Sequence, residues 1–526
     1  MTNSIAELEN ADCIIVIGSN TPSNHPLVAT RLFRAKAKGA KLVVIDPRRV
    51  PLAKNADLYV QHKLGTDVAL INGIMNVILT NGWHNEAFIK ERTEGFEELR
   101  KVVEQFPPER AAEITGVSAD DIRTIAEWYA KAKAGSLVYC MGITQHTTGV
   151  DNVKSLANLS MLTGHIGRES TGVNPLRGQN NVQGACDMGG LPNVYPAYQP
   201  VNNPDVKKKF ETAWNAKLSD KVGLTIPGVL EGLSAGTVKA VYIVGENPMV
   251  SDPDVHHVEK ALGKAELLVV QDIFLTETAE LAHVVLPGAS FAEKDGTFSS
   301  TERRVQRVRK AIEPVGESRA DWEILQDLST RFGYPMKYES PAEIMAEVAQ
   351  VAPSYGGITY DRLEGEGLFW PCVNKDHPGT KVLHQGKFSR GLGLFHAIDF
   401  KPPAEEVDPE YPFWLTTGRI HVHYHTGTMT RNSPSLHAEM PEGFLEINPQ
   451  DANELGVRAG DKVKVSSRRG EMVTRVDCTK RVTPGMVFMP FHFVETCANI
   501  LTNPANDPIA RIPEYKVCAV KLEKAA

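Results

Sequence analysis

The feature that most constrains this chain is a strand–turn–helix–strand unit that occurs twice. In the first copy the β-branched run CIIVIG, Cys13 to Gly18, reads as a buried parallel strand. The polar turn SNTPSNHP follows. Residues 27–38 then read as a helix that Gly39 can cap, and KLVVID, Lys41 to Asp46, is the next strand, stopped by Pro47. Two hundred residues on, VKAVYIVG (Val238 to Gly245), the turn ENPMVSDPD, a helix running to about Gly263 and ELLVVQD (Glu266 to Asp272) repeat the order. Gly18 to Asp46 is 28 residues and Gly245 to Asp272 is 27, the mark of an internal pseudo-repeat. A carboxylate at the tip of the second strand can accept hydrogen bonds from both ribose hydroxyls of a nucleotide, and a glycine ending the first lets backbone approach a phosphate. Neither copy has G-x-G-x-x-G, so ordinary NAD binding is not indicated. Doubly wound folds also end strands in Gly and Asp without holding a nucleotide; two matched copies point to two nucleotides.

The rest of the chain extends this plan. LYVQHK reads as a short strand and GTDVALINGIMNVILTNG as an amphipathic helix, with Thr66 or Asp67 as N-cap and Gly82 at its end. After the Pro- and Glu-rich stretch KPPAEEVDPEYP, Lys401 to Pro412, short β-rich runs dominate: FWLTTG, GFLEIN, DKVKVSSRRG, EMVTRVDC and GMVFMPFHF. The expected fold is α/β, with two doubly wound (Rossmann-like) domains over 1–179 and 180–400 and a β-barrel-like domain over 405–526. A net charge of −7 disfavours nucleic acid as a partner. No apolar run approaches the ~18–20 residues a membrane span needs. The start MTNSIAELENADC lacks a basic region followed by an apolar stretch, so it does not read as a signal peptide. The seven cysteines include no C-x-x-C pair, which argues against a disulfide framework or a self-contained zinc or iron–sulfur site and points to a reducing cytoplasm.

Five segments carry polar chemistry. LRGQNNVQGACDMGG, Leu176 to Gly190, is rich in glycine and amides, which suit a polar heterocycle, and Arg177 offers a planar fork for a small carboxylate. Cys186 lacks a companion base motif and reads as structural. In TTGRIHVHYHTGTMTR, Thr416 to Arg431, His421, His423 and His425 would share one face of a strand, a possible zinc site; an anion or cofactor cradle and a solvated polar turn are the other readings. The basic run of EKDGTFSSTERRVQRVRKA reads as a solvated face, and CANILTNPANDPIARIPEYKVCAV as a polar turn in the β-rich module.

Together NPLRGQNNVQGACDMG, MLTGHIGRESTGVNP, EKDGTFSSTERRVQ, TGR…HYHTGTMTR and IPEYKVCAV resemble the formate dehydrogenase catalytic subunits of the molybdopterin oxidoreductase family, over essentially the whole chain. The resemblance implies a molybdenum or tungsten ion held by two pterin guanine dinucleotides. By it, Ser19, Asn20, Asp46 and the Gly65-Thr66-Asp67 turn hold one guanosine end, and Gly245, Glu246, Asn247, Asp272, Thr276 and Thr278 the other. Met141, Gly142, Gln145, Gln179, Arg419, His423, Thr428, Asn499, Tyr515 and Lys516 line the pterins and phosphates, which displaces the zinc reading. No residue of this chain is assigned as a metal ligand. Arg177 matches the family's active-site arginine, with formate or CO2 as substrate and a ferredoxin-type acceptor or an electron-transfer subunit as partner.

The resemblance also implies a segment ahead of Met1. Family subunits begin with a cysteine-rich [4Fe–4S] segment, then a selenocysteine or cysteine metal ligand beside a histidine, then a run ending like Gly-Ala-Met-Thr-Asn-Ser; this chain starts Met1-Thr2-Asn3-Ser4. A UGA selenocysteine codon read as a stop, or a split or truncated gene, would each give such a start. The expectation is that the isolated chain lacks formate activity, dissolves poorly and leaves the second α/β domain with exposed apolar edges. Any twin-arginine signal would also lie ahead of Met1. Two other readings are a different molybdopterin oxidoreductase, such as a nitrate reductase, and a non-catalytic cofactor-binding module.

Overall fold

The computed structural model describes residues 1–525. The polypeptide divides into two compact units. One comprises Met1–Gly178, Val250–His256 and the chain from Val382 onward, the other Gln179–Met249 and His257–Lys381. Residues 250–256 and 382–400 interrupt or end the segment 180–400, yet they cluster with the first unit. Asn499 donates to the Val250 carbonyl at 2.8 Å, and Asn72 and Asn158 donate to the carbonyls of Ile398 and His396.

In the first unit β1 (Cys13–Ile17), α1 (Pro26–Ala37), β2 (Lys41–Ile45), β3 (Leu58–Val60), α2 (Asp67–Thr80), β4 (Gly135–Tyr139), α3 (Gly149–Leu162) and β5 (Gly172–Pro175) follow in chain order. The sheet order is β3-β2-β1-β4-β5, all parallel. Every residue of β1 is buried. Cys13, Ile15 and Ile17 pack into the core beneath α2, and Ile14 and Val16 into the core beneath α1. That double coverage is why the strand is a continuous apolar run rather than an alternating one. Thr66 occupies the N-cap position of α2, but its hydroxyl donates to the Lys63 carbonyl at 2.7 Å instead of accepting from a helix amide. Strand order reverses between β1 and β4, where their C-terminal ends diverge and open a crevice.

The second unit holds α4 (Val182–Asp187), α5 (Ile226–Ala235), β6 (Ala240–Val244), α6 (Val255–Leu262) from His257 on, β7 (Leu267–Asp272) and β8 (Val284–Pro287). The three strands form a parallel sheet in the order β8-β7-β6. Leu230, Leu233, Val258 and Leu262 cover one face, against Leu268 and Val270. Away from that core Val244, Leu267 and Val284 are 44%, 43% and 42% exposed. An antiparallel sheet of β9 (Gly296–Ser299), β10 (Arg304–Val308) and β11 (Leu368–Phe369) follows. The basic run beside it is not simply a solvated face. Arg303 is buried and donates to the carbonyls of Trp370, Thr380 and Lys381, three acceptors that make a buried guanidinium tolerable.

Strands β12 (Phe413–Gly418), β13 (Phe444–Ile447), β14 (Lys462–Ser466), β15 (Glu471–Cys478), β16 (Met486–Pro490) and β17 (Cys518–Lys524) close a barrel in the order β12-β16-β13-β15-β14-β17. Leu415, Val463, Val487 and Val520 fill it. The linker before it is pinned to it, because Glu405 takes both Arg468 and Arg469.

Candidate cofactor site

The crevice at the β1/β4 reversal is closed over by the barrel, all within the first unit. Its walls come from five places: Gly18, Ser19 and Asn20 after β1; Asp46 and Arg48 after β2; His62, Gly65 and Asp67 before α2; Cys140, Met141, Gly142, Gln145 and His146 after β4; and Thr416, Thr417, Arg419, Phe488, Phe491 and Lys516 of the barrel module. Gly18 and Gly142 let two backbones touch. A Cβ on Gly142 would lie 2.6 Å from the Gly18 Cα and carbonyl oxygen, and Gly18 itself has φ +57°. The Gly142 amide donates to the Gly18 carbonyl at 3.1 Å.

The cleft is cationic on the barrel side and acidic on the sheet side. Lys516 donates to the Thr417 carbonyl at 2.6 Å, and burial pushes its ammonium down to about 8, with Arg419 adding to the effect. Arg419 donates to the Gly178 carbonyl at 3.0 Å, and its guanidinium is also held below its ordinary range by burial. On the other side burial pushes the Asp46 carboxyl up to about 6, against the Arg48 amide that donates to it at 3.0 Å. Arg48 is fixed by a buried bidentate pair with Glu446, at 2.6 and 2.7 Å, and lies 4.0 Å over the Phe488 ring. That pair joins the α/β sheet to the barrel.

Ser19, Asn20, Asp46, Gly65, Asp67, Met141, Gly142, Gln145, Arg419 and Lys516 are thus brought together in one cleft. Thr66 lines a neighbouring cavity that shares His62 and Leu64 with it. The Tyr515 carbonyl accepts from Thr417 at 2.7 Å. Asn499 is spent on Val250 and Ser251, and Thr428 shares a hydroxyl contact with Thr426. The three histidines do not line up, because β12 ends at Gly418 and residues 419–427 are irregular. His423 bonds Thr430 and the Met440 carbonyl, and His421 faces Glu439. Among the described residues no group of three metal-ligating side chains forms.

Gly245, Glu246, Asn247, Asp272, Thr276 and Thr278 lie at the ends of β6 and β7 in the second unit. There Asn247 accepts from the Thr278 hydroxyl at 2.6 Å, Thr276 caps the turn that follows by accepting from Ala279, and burial raises the Asp272 carboxyl. Gln179 opens that unit. Arg177 is exposed, on backbone held by the Cys140 thiol, which donates to the Leu176 carbonyl at 3.0 Å, and by His25, whose ring nitrogen lies 2.7 Å from the Arg177 carbonyl oxygen. Ten residues downstream Asp187 is fully buried in the second unit and accepts from Gln183, Tyr198, Tyr355 and Trp370.

Residues 1–331 match the family model described as "Molybdopterin oxidoreductase", and residues 413–519 the one described as "Molydopterin dinucleotide binding domain". The F420-dependent formate dehydrogenase 1 subunit alpha of Methanococcus maripaludis is 55% identical over 528 residues, covering 100% of this chain and 78% of that protein. The chain belongs to the molybdopterin oxidoreductase family. Formate dehydrogenase H of Escherichia coli is 41% identical over 533 residues, covering 100% of this chain and 74% of that protein. Acetylene hydratase from Pelobacter acetylenicus shares the fold, with a TM-score of 0.78 at 20% identity over 99% of this chain and 81% of that one.

A pterin dinucleotide, the group such an oxidoreductase holds, fits the residues of this cleft. Asn20 Oδ1, His62 Nδ1, Asp67 Oδ2 and His146 Nδ1 are buried without a hydrogen-bond partner in the structure, in residues that line it. Unpaired buried polar atoms are costly, so a polar ligand is the expected complement. Lys516 and Arg419 match phosphate, the Gly18–Gly142 contact admits it close to backbone, and a carboxylate at Asp46 matches ribose hydroxyls. His62, His146 and Arg48 escaped the sequence reading. The one local signal for them was their place beside the strand tips already singled out. No described helix is long and apolar enough to cross a membrane.

Proposed function

We propose that this chain is a catalytic subunit that oxidises formate to CO2, or runs the reverse, at a molybdenum or tungsten centre held by two pterin guanine dinucleotides. The observation that carries the reading is the 55% identity across the whole chain to subunits named as formate dehydrogenases, on a chain whose cleft suits a pterin dinucleotide. One dinucleotide lies in the first unit, its guanosine end on Ser19, Asn20, Asp46 and the turn Gly65-Thr66-Asp67, its phosphates near Lys516. The other takes the corresponding strand ends at Gly245, Glu246, Asn247, Asp272, Thr276 and Thr278.

When bound, the metal–pterin group supplies the sink for two electrons, since formate gives CO2, one proton and two electrons. The chain's own contribution is to hold the substrate. Arg177 presents a planar fork to the formate carboxylate, which fixes the direction of its C–H bond. His25 and Cys140 fix the backbone behind that fork. The electrons pass to an electron-transfer partner, a reading supported by the relatives' names as alpha subunits.

The test is Arg177→Lys in the intact, cofactor-loaded enzyme. A lysine keeps the charge and loses the bidentate geometry. Metal and pterin content should stay at the parent level while kcat/KM for formate falls on the order of a hundredfold. Unchanged formate kinetics with full cofactor would overturn the assignment.

A further inference from the structure

Two buried histidines beside Asp67 have half of their hydrogen-bonding capacity committed and half left over. His62 Nε2 lies 3.1 Å from Asp67 Oδ1, and His146 Nε2 lies 2.8 Å from the Gly142 carbonyl and 4.0 Å from Asp67 Oδ2. A carbonyl oxygen only accepts, so His146 carries its proton on Nε2. Asp67 is held ionised: burial works against its charge, but His62 and His146 outweigh that and keep its pKa below the usual carboxylate range. His62 therefore also donates from Nε2. The remaining ring atoms, Nδ1 of both, have no hydrogen-bond partner, and neither has Asp67 Oδ2. His62, Asp67 and His146 are 6%, 1% and 2% exposed, and all three line the cleft.

We infer that His62 and His146, oriented by Asp67, are two further contacts of the dinucleotide cofactor, each made through imidazole Nδ1. The inference rests on the reading of the cleft as a pterin dinucleotide site. Asp67 opens α2 and sets the His62 ring, while the Gly142 carbonyl, part of the Gly18–Gly142 contact, sets the other. The cleft end of each ring is then fixed before the ligand arrives, which is what makes such a contact strong. The chemistry recognised is the polar sugar–phosphate portion of a nucleotide. Burial opposes the imidazolium of His62, but Asp67 and Asp46 outweigh it and favour the charged form, which donates to a phosphate or hydroxyl oxygen. A neutral ring accepts from a hydroxyl or an amine.

Glutamine and asparagine separate the two ends of each ring. A glutamine amide reaches the place of Nε2 and leaves Nδ1 empty; an asparagine amide does the reverse. His62→Gln and His146→Gln therefore keep the internal contacts and remove the proposed ones. The measurement is guanine nucleotide recovered per protein after gel filtration of the cofactor-loaded chain, with Lys516→Ala as reference and the melting temperature of the cofactor-free protein as control. Each glutamine variant should lose cofactor on the order of tenfold faster, with the cofactor-free melting temperature kept. If both retain cofactor like the parent while Lys516→Ala loses it, the inference fails and the cleft reading stands. If Lys516→Ala also retains it, both fail. Should a variant not fold, nitrogen NMR of labelled histidine in the parent decides. Both Nδ1 signals should shift on cofactor loading, and unmoved signals would overturn the inference.

Discussion

The two strand–turn–helix–strand copies have almost the same local sequence logic and different surroundings. The first lies in a five-stranded parallel sheet covered on both faces; the second lies in three strands with a helix layer on one face and 44% of Val244 exposed away from it. Both end in a glycine at positive φ and an aspartate. Burial pushes the buried Asp46 up to about 6, and it also raises the less deeply buried Asp272. A repeat in sequence therefore sets where a nucleotide-type carboxylate stands, while packing sets how its charge behaves.

The two copies differ most in the second residue beyond the aspartate. Arg48, two beyond Asp46, ties the first copy to the barrel through Glu446, which is fully buried, whereas Phe274, two beyond Asp272, is 37% exposed. Removing one partner of a buried pair leaves the other charge uncompensated. Arg48→Ala should lower stability by about 3 kcal/mol, near the low end for such a loss because Arg481 stays 2.8 Å from Glu446. Phe274→Ala should cost far less. Denaturant melts of the two variants measure the contrast; equal losses would show that the pair does not hold the barrel on the first copy.

The two carboxylates also differ in how they couple folding to pH. As pH rises through about 4, an unfolded Asp46 ionises while the folded one stays protonated until about 6. The unfolded state loses its proton first, so the cofactor-free protein loses stability over that interval and does not regain it above. The shift corresponds to roughly 3 kcal/mol. Asp46→Asn should remove that slope, making the cofactor-free protein more stable than the parent at pH 7 while weakening retention of the nucleotide. Asp272→Asn should change the slope in the same direction and less. Melting temperatures from pH 4 to pH 7 test both.

Much of this was legible in the sequence because it is local. The strands of both copies lie within a residue or two of where β-branched runs end in Gly or Asp, and the barrel strands follow their short apolar runs. What stayed hidden depends on distant partners. Arg48 finds Glu446 across 398 residues, and His62 and His146 converge only once α2 and the β4 loop are placed. The alternating histidines invited a strand reading, but the strand stops at Gly418 and each ring turns to its own partner. The basic run read as solvated hides Arg303, whose three carbonyl acceptors come from residues 370–381.

The smallest effect falls on Leu267, next to a buried neighbour on the same strand. On β7, Leu268 is fully buried beneath α5 and α6, while Leu267 points away from them and is 43% exposed. Leu268→Ala should cost about 2–5 kcal/mol, the loss expected when a buried leucine leaves a cavity. Leu267→Ala should stay within about 0.5 kcal/mol, because its side chain is already largely in water. The matching pair on β2 of the first copy, Leu42 and Val43, is buried at 1% and 0%, so both substitutions there should be costly. Four denaturation midpoints therefore read the difference between the copies: one cheap position on β7 and none on β2. A Leu267→Ala loss as large as that of Leu268→Ala would mean that this face of the second sheet is covered in solution, and the asymmetry between the copies would then disappear.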